Sequence, residues 1–216
     1  METQQYRDRE EAGRALARAL SEYAGNADAV VYGLARGGVP VAAVVASELT
    51  LPLDALVVRK VGSPGNPELA VGAITTLGGM VVNEHVMGAL GLSKDEFERL
   101  AEQERGELES QEREIRGDAK PIEPEGRVVL LVDDGLATGA SMAAAVKAAR
   151  SAGAEKVVVG IPTASKEACS RVGELADEVH CLMTPETFTA VGQWYRDFGQ
   201  VATGRVRELL EAAGRR

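Results

Sequence analysis

Five consecutive apolar residues, Val128 to Val132, run without any alternation of apolar and polar positions. A strand with one wet face alternates with a period of two, so an unbroken run of strand length fits a strand covered on both faces, as in a parallel sheet flanked by helices. The run ends in Asp133-Asp134, and in open α/β sheets ligands collect beyond the carboxyl ends of the strands. Gly135, Ala137, Gly139 and Ala140 then keep side chains out of the way, so that successive backbone N–H groups entering the next helix can point at an anion. Thr138 and Ser141 add hydroxyl donors. Two other phosphate loops are excluded by spacing. No Gly-x-x-x-x-Gly-Lys-Ser/Thr is present, and Gly135 to Gly139 does not fit Gly-x-Gly-x-x-Gly. A tight turn whose glycines serve only helix–sheet packing would explain the small residues but not the two adjacent acids.

Four further runs of strand length, Ala29–Leu34, Leu53–Lys60, Lys156–Pro162 and Glu178–Met183, bring the count that could share one sheet to five. Helical periodicity fills the gaps. Asp8 with Glu11 has capping-box spacing ahead of Ala12, Leu16, Leu20 and Tyr23, in a helix ending near Gly25. Pro40 suits the first turn of a helix running to Leu49, 140–152 is helical and closed by Gly153, and 165–175 is helical too. Between the first strand and its helix lies Ala35-Arg-Gly-Gly38, a second candidate anion loop: Arg36 offers a fork of donors, and Gly37 and Gly38 permit backbone shapes closed to other residues. A helix entry with a solvated arginine is the plainer reading. Arg59 and Lys60 end the Leu53–Lys60 run, either neutralising phosphate or merely closing a strand in water.

The rest of the chain departs from strand–helix alternation. Val61–Pro67 is too rich in Gly and Pro for regular structure and reads as a mobile lid. Glu68–Glu84 reads as a hairpin, with Ala73–Thr76 and Met80–Asn83 flanking Leu77-Gly78-Gly79, so that 61–84 forms a lid and its stem. Residues 93–117 should be one long charged helix from a Ser93/Glu96 capping box to Gly117, with a thin stripe of Phe97, Leu100, Ala101, Leu108 and Ile115. It is a solvated helix, a hood element or a dimer contact. In 184–200 the aromatics Phe188, Trp194, Tyr195 and Phe198 concentrate with little periodicity. They form either a core plug or, with Asp197 as the nearest polar group, a wall for a planar acceptor.

Composition enters where it excludes functions. A net charge of −9 argues against a nucleic-acid or membrane surface, both of which favour excess Lys and Arg. No apolar run approaches the ~18 residues of a membrane span, and Met1–Asp8 has no apolar signal core. The two cysteines, Cys169 and Cys181, are too few for a disulfide framework and lack metal-ligand spacing, which favours a reducing cytoplasm. His85 and His180 lack ligand partners at metal spacing and read as structural.

Val129 to Ser141 resembles the phosphoribosyl-pyrophosphate (PRPP) signature of the type I phosphoribosyltransferases: four apolar residues, two acids, and a small-residue Thr-Gly loop ending in a hydroxyl. Leu34-Ala-Arg-Gly-Gly-Val-Pro40 is similar to the pyrophosphate loop of the same family, and the family implies a non-proline cis peptide there. The combined Ala-Arg-Gly-Gly, Val-Arg-Lys-Val-Gly-x-Pro-Gly-Asn-Pro-Glu and Asp-Asp-Gly-x-Ala-Thr-Gly-Ala-Ser strings look most like bacterial and archaeal members with no assigned base. The resemblance implies a single domain over 1–216, a Rossmann-like α/β fold with a parallel sheet of about five strands flanked by helices and a flexible hairpin lid; it does not extend to the small hood subdomain, for which 184–200 is the candidate segment. It implies transfer of 5-phosphoribosyl from PRPP to a nitrogenous, nucleobase-like acceptor, with release of pyrophosphate. Asp133, Asp134, Arg36 and Lys60 would act at the reacting centre. Ala137, Thr138, Gly139, Ala140 and Ser141 would hold the 5′-phosphate, and Arg36, Gly37, Gly38, Arg59 and Lys60 the pyrophosphate. Magnesium would bind chiefly through PRPP and water near Asp133 and Asp134, as suits an ion that keeps its waters. Trp194, Tyr195, Asp197 and Phe198 are the acceptor candidates. Members acting on 6-oxopurines carry an acid two residues before the motif glycine. Here Ala137 stands there, and alanine does no acid–base chemistry. Small-molecule substrates, a homodimer, and neither nucleic acid nor membrane are expected. The alternative is a non-catalytic PRPP- or nucleotide-binding regulator of the same fold.

Overall fold

The computed structural model describes residues 5–117 and 119–214; the first four residues of the Met1–Asp8 stretch read above lie outside them. The parallel sheet contains β1 (Ala29–Leu34), β2 (Leu53–Leu56), β6 (Val128–Val132), β7 (Lys156–Thr163) and β8 (Glu178–Met183) in the order β2-β1-β6-β7-β8. All four neighbouring pairs are parallel. Burial agrees with the unbroken apolar runs: all of β1 and all of β6 after its first residue are buried, as strands covered on both faces must be.

One face is covered by α1 (Arg9–Ala19), α2 (Gly38–Leu49) and α7 (Thr203–Gly214), the other by α5 (Ala140–Ser151) and α6 (Lys166–Gly173). Asp8 caps α1 by accepting from Glu11 N–H. The chain then turns through a short 3-10 segment, Ser21–Tyr23, rather than continuing as one helix to Gly25.

Leu53–Lys60 is not one strand. It leaves the parallel sheet at the buried Val57 and re-pairs as β3 (Val58–Ser63) in a separate antiparallel sheet with β4 (Asn66–Thr75) and β5 (Met80–Val82). Local β propensity is continuous through this run, and only the exchange of pairing partners marks the break. Arg59 and Lys60 therefore lie on β3. Arg59 Nε pairs with Glu104 at 2.6 Å and Lys60 Nζ with Glu68 at 3.1 Å.

Val61–Pro67 is regular as well. Val61 pairs with Gly72, Gly62 with Ala70 and Ser63 with Asn66, with register shifts that absorb the irregularity. Val61 is fully buried, whereas residues 64–69 are exposed. The breakers thus mark bulges and a turn rather than a structureless lid. Hydrogen exchange on the unliganded protein should show fast amides at 64–69 and slow ones in the Val58–Val61 and Val71–Ile74 stem; a stem as fast as the tip would contradict this anchoring.

Helix α3 (Glu84–Leu90) follows β5, and α4 (Lys94–Arg116) starts at a complete Ser93/Glu96 capping box and stops at Gly117. Phe97, Ala101, Leu108 and Ile115 are buried, against β3, β4 and α7. The Phe97 ring sits so close to Gly72 that a Cβ there would lie 2.7 Å from Phe97 Cζ. Arg116, at the end of α4, is ion-paired with the buried Asp54 of β2, which ties the second sheet's cover to the edge of the first. Cys169 of α6 and Cys181 of β8 form a disulfide, against the expectation of unpaired thiols; only the three-dimensional approach of the helix to its neighbouring strand reveals the pair. No helix among the described residues is long and apolar enough to cross a membrane.

Candidate active site

The order β2-β1-β6-β7-β8 reverses direction between β1 and β6, and ligand crevices of open α/β sheets form at such a switch point. Gly33 lies opposite Val132, so the loops after β1 and β6 leave the sheet side by side. The peptide between Ala35 and Arg36 is cis, as the resemblance implied. Gly37 then caps α2. A Cβ on Gly38 would stand 2.7 Å from Val132 O and 2.8 Å from Asp133 Oδ1. One on Gly37 would overlap Asp134 Oδ2 and approach Asp134 Cγ to 3.0 Å. The two glycines let the first loop lie directly on the two carboxylates. Arg36, half-buried, has no side-chain partner among the described residues.

The second loop is stitched to the end of β7. Leu136 N–H donates to Thr163 O at 3.0 Å, Ser165 N–H to Leu136 O at 2.9 Å, and Ser165 Oγ to Ala137 O at 2.9 Å. Gly139, with φ 73°, is the N-cap of α5, a left-handed conformation natural to glycine. Ala137, Thr138, Ala140 and Ser141 are exposed around it at the positive end of the α5 dipole, where Ala140 N–H donates to Thr138 Oγ1 at 3.4 Å.

Asp134 is buried and Asp133 half-buried. Burial, with the adjacent Asp134 charge, pushes Asp133 well above the ordinary carboxylate range. Burial also raises Asp134, with Arg9 opposing it. Arg9 was not among the sequence candidates. Its Nε donates to Asp134 Oδ2 at 2.8 Å, a nitrogen of its guanidinium to Gly199 O at 2.9 Å, and its Cζ lies 4.0 Å above the Phe198 ring. One signal could have found it: an arginine at the first position of α1 opposes the helix dipole and so needs a partner elsewhere.

Residues 184–200 bring that partner within reach. They contain the 3-10 turn Val191–Trp194 and run beside the segment before α1, through Tyr6 N–H to Trp194 O at 2.9 Å, Arg196 N–H to Tyr6 O at 2.8 Å and Asp197 N–H to Arg7 O at 2.9 Å. Gly135 admits the turn, since a Cβ there would meet Val191 Cγ2 at 2.9 Å. Tyr195 donates its hydroxyl to Asp134 O at 2.6 Å. Burial and the Asp134 charge raise the hydroxyl's pKa, so it remains a donor. Trp194 and Tyr195 are buried with Ala12. Trp194 stacks on Phe188 at 6.1 Å and Tyr195 on Phe198 at 4.9 Å between ring centroids. Among the acceptor candidates, Phe198 is half-buried and Asp197 exposed.

The structure thus assembles Arg36, Gly37, Gly38, Asp133, Asp134 and the 137–141 loop in one crevice. Arg59 and Lys60 stand on the second sheet instead of at a strand end beside it. His180, read as isolated, is grouped with Glu22 and Glu178, their ligand atoms lying within 4.8 Å of one another. Glu178 is already engaged there by Lys156 and Tyr23, at 2.5 Å each.

Fold and site together define an open parallel α/β protein with paired carboxylates and two small-residue loops at its switch point. The family model for the phosphoribosyl transferase domain matches residues 2–197, and the chain belongs to that family. It is 44% identical over 208 residues, 96% of its length, to a Mycobacterium tuberculosis protein named "Putative phosphoribosyl transferase"; it spans 47% of that relative, about half. A crystal structure of the protein TT1426 from Thermus thermophilus superposes with a TM-score of 0.83 at 42% identity, covering 95% of this chain and 97% of the other. A Neisseria gonorrhoeae hypothetical protein with bound ppGpp shares the fold, with a TM-score of 0.52 at 16% identity, covering 96% and 94%.

Proposed function

We propose that this chain binds PRPP with magnesium across the crevice and transfers its 5-phosphoribosyl group to a nitrogen of a small heterocyclic acceptor. The observation that carries this reading is the contact of Gly37 and Gly38 with Asp134 and Asp133, which puts a cationic anion loop, two carboxylates and a helix N-terminus around one cleft. The 137–141 amides with Thr138 and Ser141 take the 5′-phosphate; Arg36 and the Gly37–Gly38 backbone take the diphosphate. Asp133 and Asp134 accept from the ribose hydroxyls and face the anomeric carbon. There the C1–O bond to diphosphate breaks, a C1–N bond forms, diphosphate leaves with the bonding electrons, and the proton of the acceptor nitrogen passes to the departing diphosphate or to solvent. The protein positions groups and stabilises charge; no covalent nucleophile is needed. Arg9 pairs with Asp134, whereas Asp133 Oδ1 accepts from Asp134 N–H and pairs with no cation among the described residues, which suits a hydrated divalent cation held mainly by substrate oxygens near Asp133. When bound, magnesium would screen the diphosphate charge. Phe198 and Asp197 would border the acceptor, backed by the buried Trp194 and Tyr195.

The test is calorimetry with PRPP and magnesium on the parent and the Asp133→Asn/Asp134→Asn variant, followed by pyrophosphate release over a panel of bases. Each lost charged acceptor should cost about 1.5–3 kcal/mol, so the double variant should bind at least roughly 100-fold more weakly. Equal binding by both would move the site elsewhere. Binding without turnover on any base would identify a regulator.

A further inference from the structure

We propose that the cavity between α5 and the second sheet is a binding site for an organic phosphate with a flat apolar body, separate from the crevice and beyond the function proposed above. The cavity encloses about 600 Å³, within the range of about 300–1,000 Å³ that suits drug-sized ligands. None of Arg36, Gly37, Gly38, Asp133, Asp134 and Thr138 lines it; the shared wall is the first turn of α5 at Ala140 and Ser141.

Its shape follows from its walls. Val58, Ala73 and Val81 share one face of the second sheet by their register, and the short side chains of Ala140 and Ala144 face them from α5. A sheet surface opposed by alanines leaves a slot, which admits a flat ring more readily than a branched body. Its charge is set by Lys60, Lys147 and Arg171 against Glu84. Lys60 is paired with Glu68, but Lys147 and Arg171, both exposed, have no hydrogen bond or ion pair among the described residues. In a chain of net charge −9, two unpaired cations from different helices beside one apolar slot are the recognition elements of an anion carried on an apolar body. Arginine's fork and lysine's point charge both suit phosphate.

1-Naphthyl phosphate, which lacks the ribose that the crevice would hold, is the probe, with 1-naphthol and inorganic phosphate as separate arms, measured by calorimetry on the full chain. Three proteins are compared: the parent, Lys147→Ala/Arg171→Ala, and Asp133→Asn/Asp134→Asn. Both cations are exposed, so the first variant should melt within roughly 2 °C of the parent. It should keep PRPP affinity and lose at least tenfold in affinity for the monophosphate, whereas the aspartate variant should keep that affinity. 1-Naphthol and inorganic phosphate should each bind at least tenfold more weakly than the monophosphate. The proposal is overturned if the parent fails to bind the monophosphate at millimolar concentration, if Lys147→Ala/Arg171→Ala binds it like the parent, or if inorganic phosphate alone binds as tightly. The aspartate variant keeps this result apart from failure of the crevice reading, because its cavity is intact whether or not the parent binds PRPP.

Discussion

Replacing Gly37 by alanine is expected to lower PRPP affinity at least about 100-fold while the chain still folds. The added Cβ overlaps Asp134 Oδ2 and comes within 3.0 Å of Asp134 Cγ, and Asp134 cannot swing aside freely. Its carboxylate is held by Arg9 at 2.8 Å and its carbonyl by Tyr195 at 2.6 Å. The overlap therefore pushes the first loop off the carboxylates. Each charge-assisted hydrogen bond that the displaced loop loses to the diphosphate costs about 1.5–3 kcal/mol, so two of them account for roughly 100-fold in affinity, while overpacking destabilises by about 1–3 kcal/mol. Gly106→Ala is the control. It lies inside α4 with nothing within 4 Å of its added Cβ, and should stabilise by about 0.5–1 kcal/mol with no change in binding. Calorimetry and thermal unfolding on both variants would decide it; unchanged PRPP affinity in Gly37→Ala would show that the two loops do not hold one ligand.

The parts of this fold legible in the sequence are those where one local rule suffices. Val128–Val132, Ala29–Leu34 and Glu178–Met183 were expected as strands and occur with those bounds, because apolar runs bounded by polar turns admit little else. The Asp8 and Ser93 caps were legible because capping is a three-residue interaction. What failed depended on partners distant in sequence. Leu53–Lys60 looks uniform until β3 exchanges the parallel sheet for the antiparallel one. The Cys169–Cys181 pairing depends on how α6 lies against β8. Helices α3 and α7 were not anticipated: the first is only seven residues long, and the second packs its buried Val206 and Leu210 against a core that other segments supply. In the crevice, Asp133, Asp134 and both glycine loops were legible as motifs. Arg9 was not, since it reaches Asp134 across 125 residues, guided there by the pairing of Tyr6 and Arg7 with Trp194–Asp197.

Arg9→Met is expected to destabilise the unliganded protein by about 3–5 kcal/mol at pH 7, the range for breaking a buried ion pair by removing one partner, and by much less at pH 4. The two side chains are 13% and 12% exposed, so solvent replaces little of the lost interaction. For a chain of this size the melting temperature should fall by roughly 6–20 °C. The sign of the pH dependence follows from the carboxyls. Burial already raises Asp133 and Asp134 above their unfolded values while Arg9 opposes the rise; without Arg9 they rise further. Below about pH 4 they are protonated in both folded and unfolded chains, so the variant loses only the stack on Phe198 and the bond to Gly199 O. As pH climbs, the unfolded chain releases its protons first, and the native state loses stability until its own carboxyls ionise. The deficit therefore opens above pH 4 and widens toward neutrality. Arg9→Met/Asp134→Asn should recover most of the loss at pH 7, because the charge that needed a partner is gone. Thermal unfolding at the two pH values tests both points. An equal deficit at pH 4 and pH 7, or a double variant no more stable than Arg9→Met, would show that Arg9 supports the fold by packing alone and that the paired carboxylates do not depend on its charge.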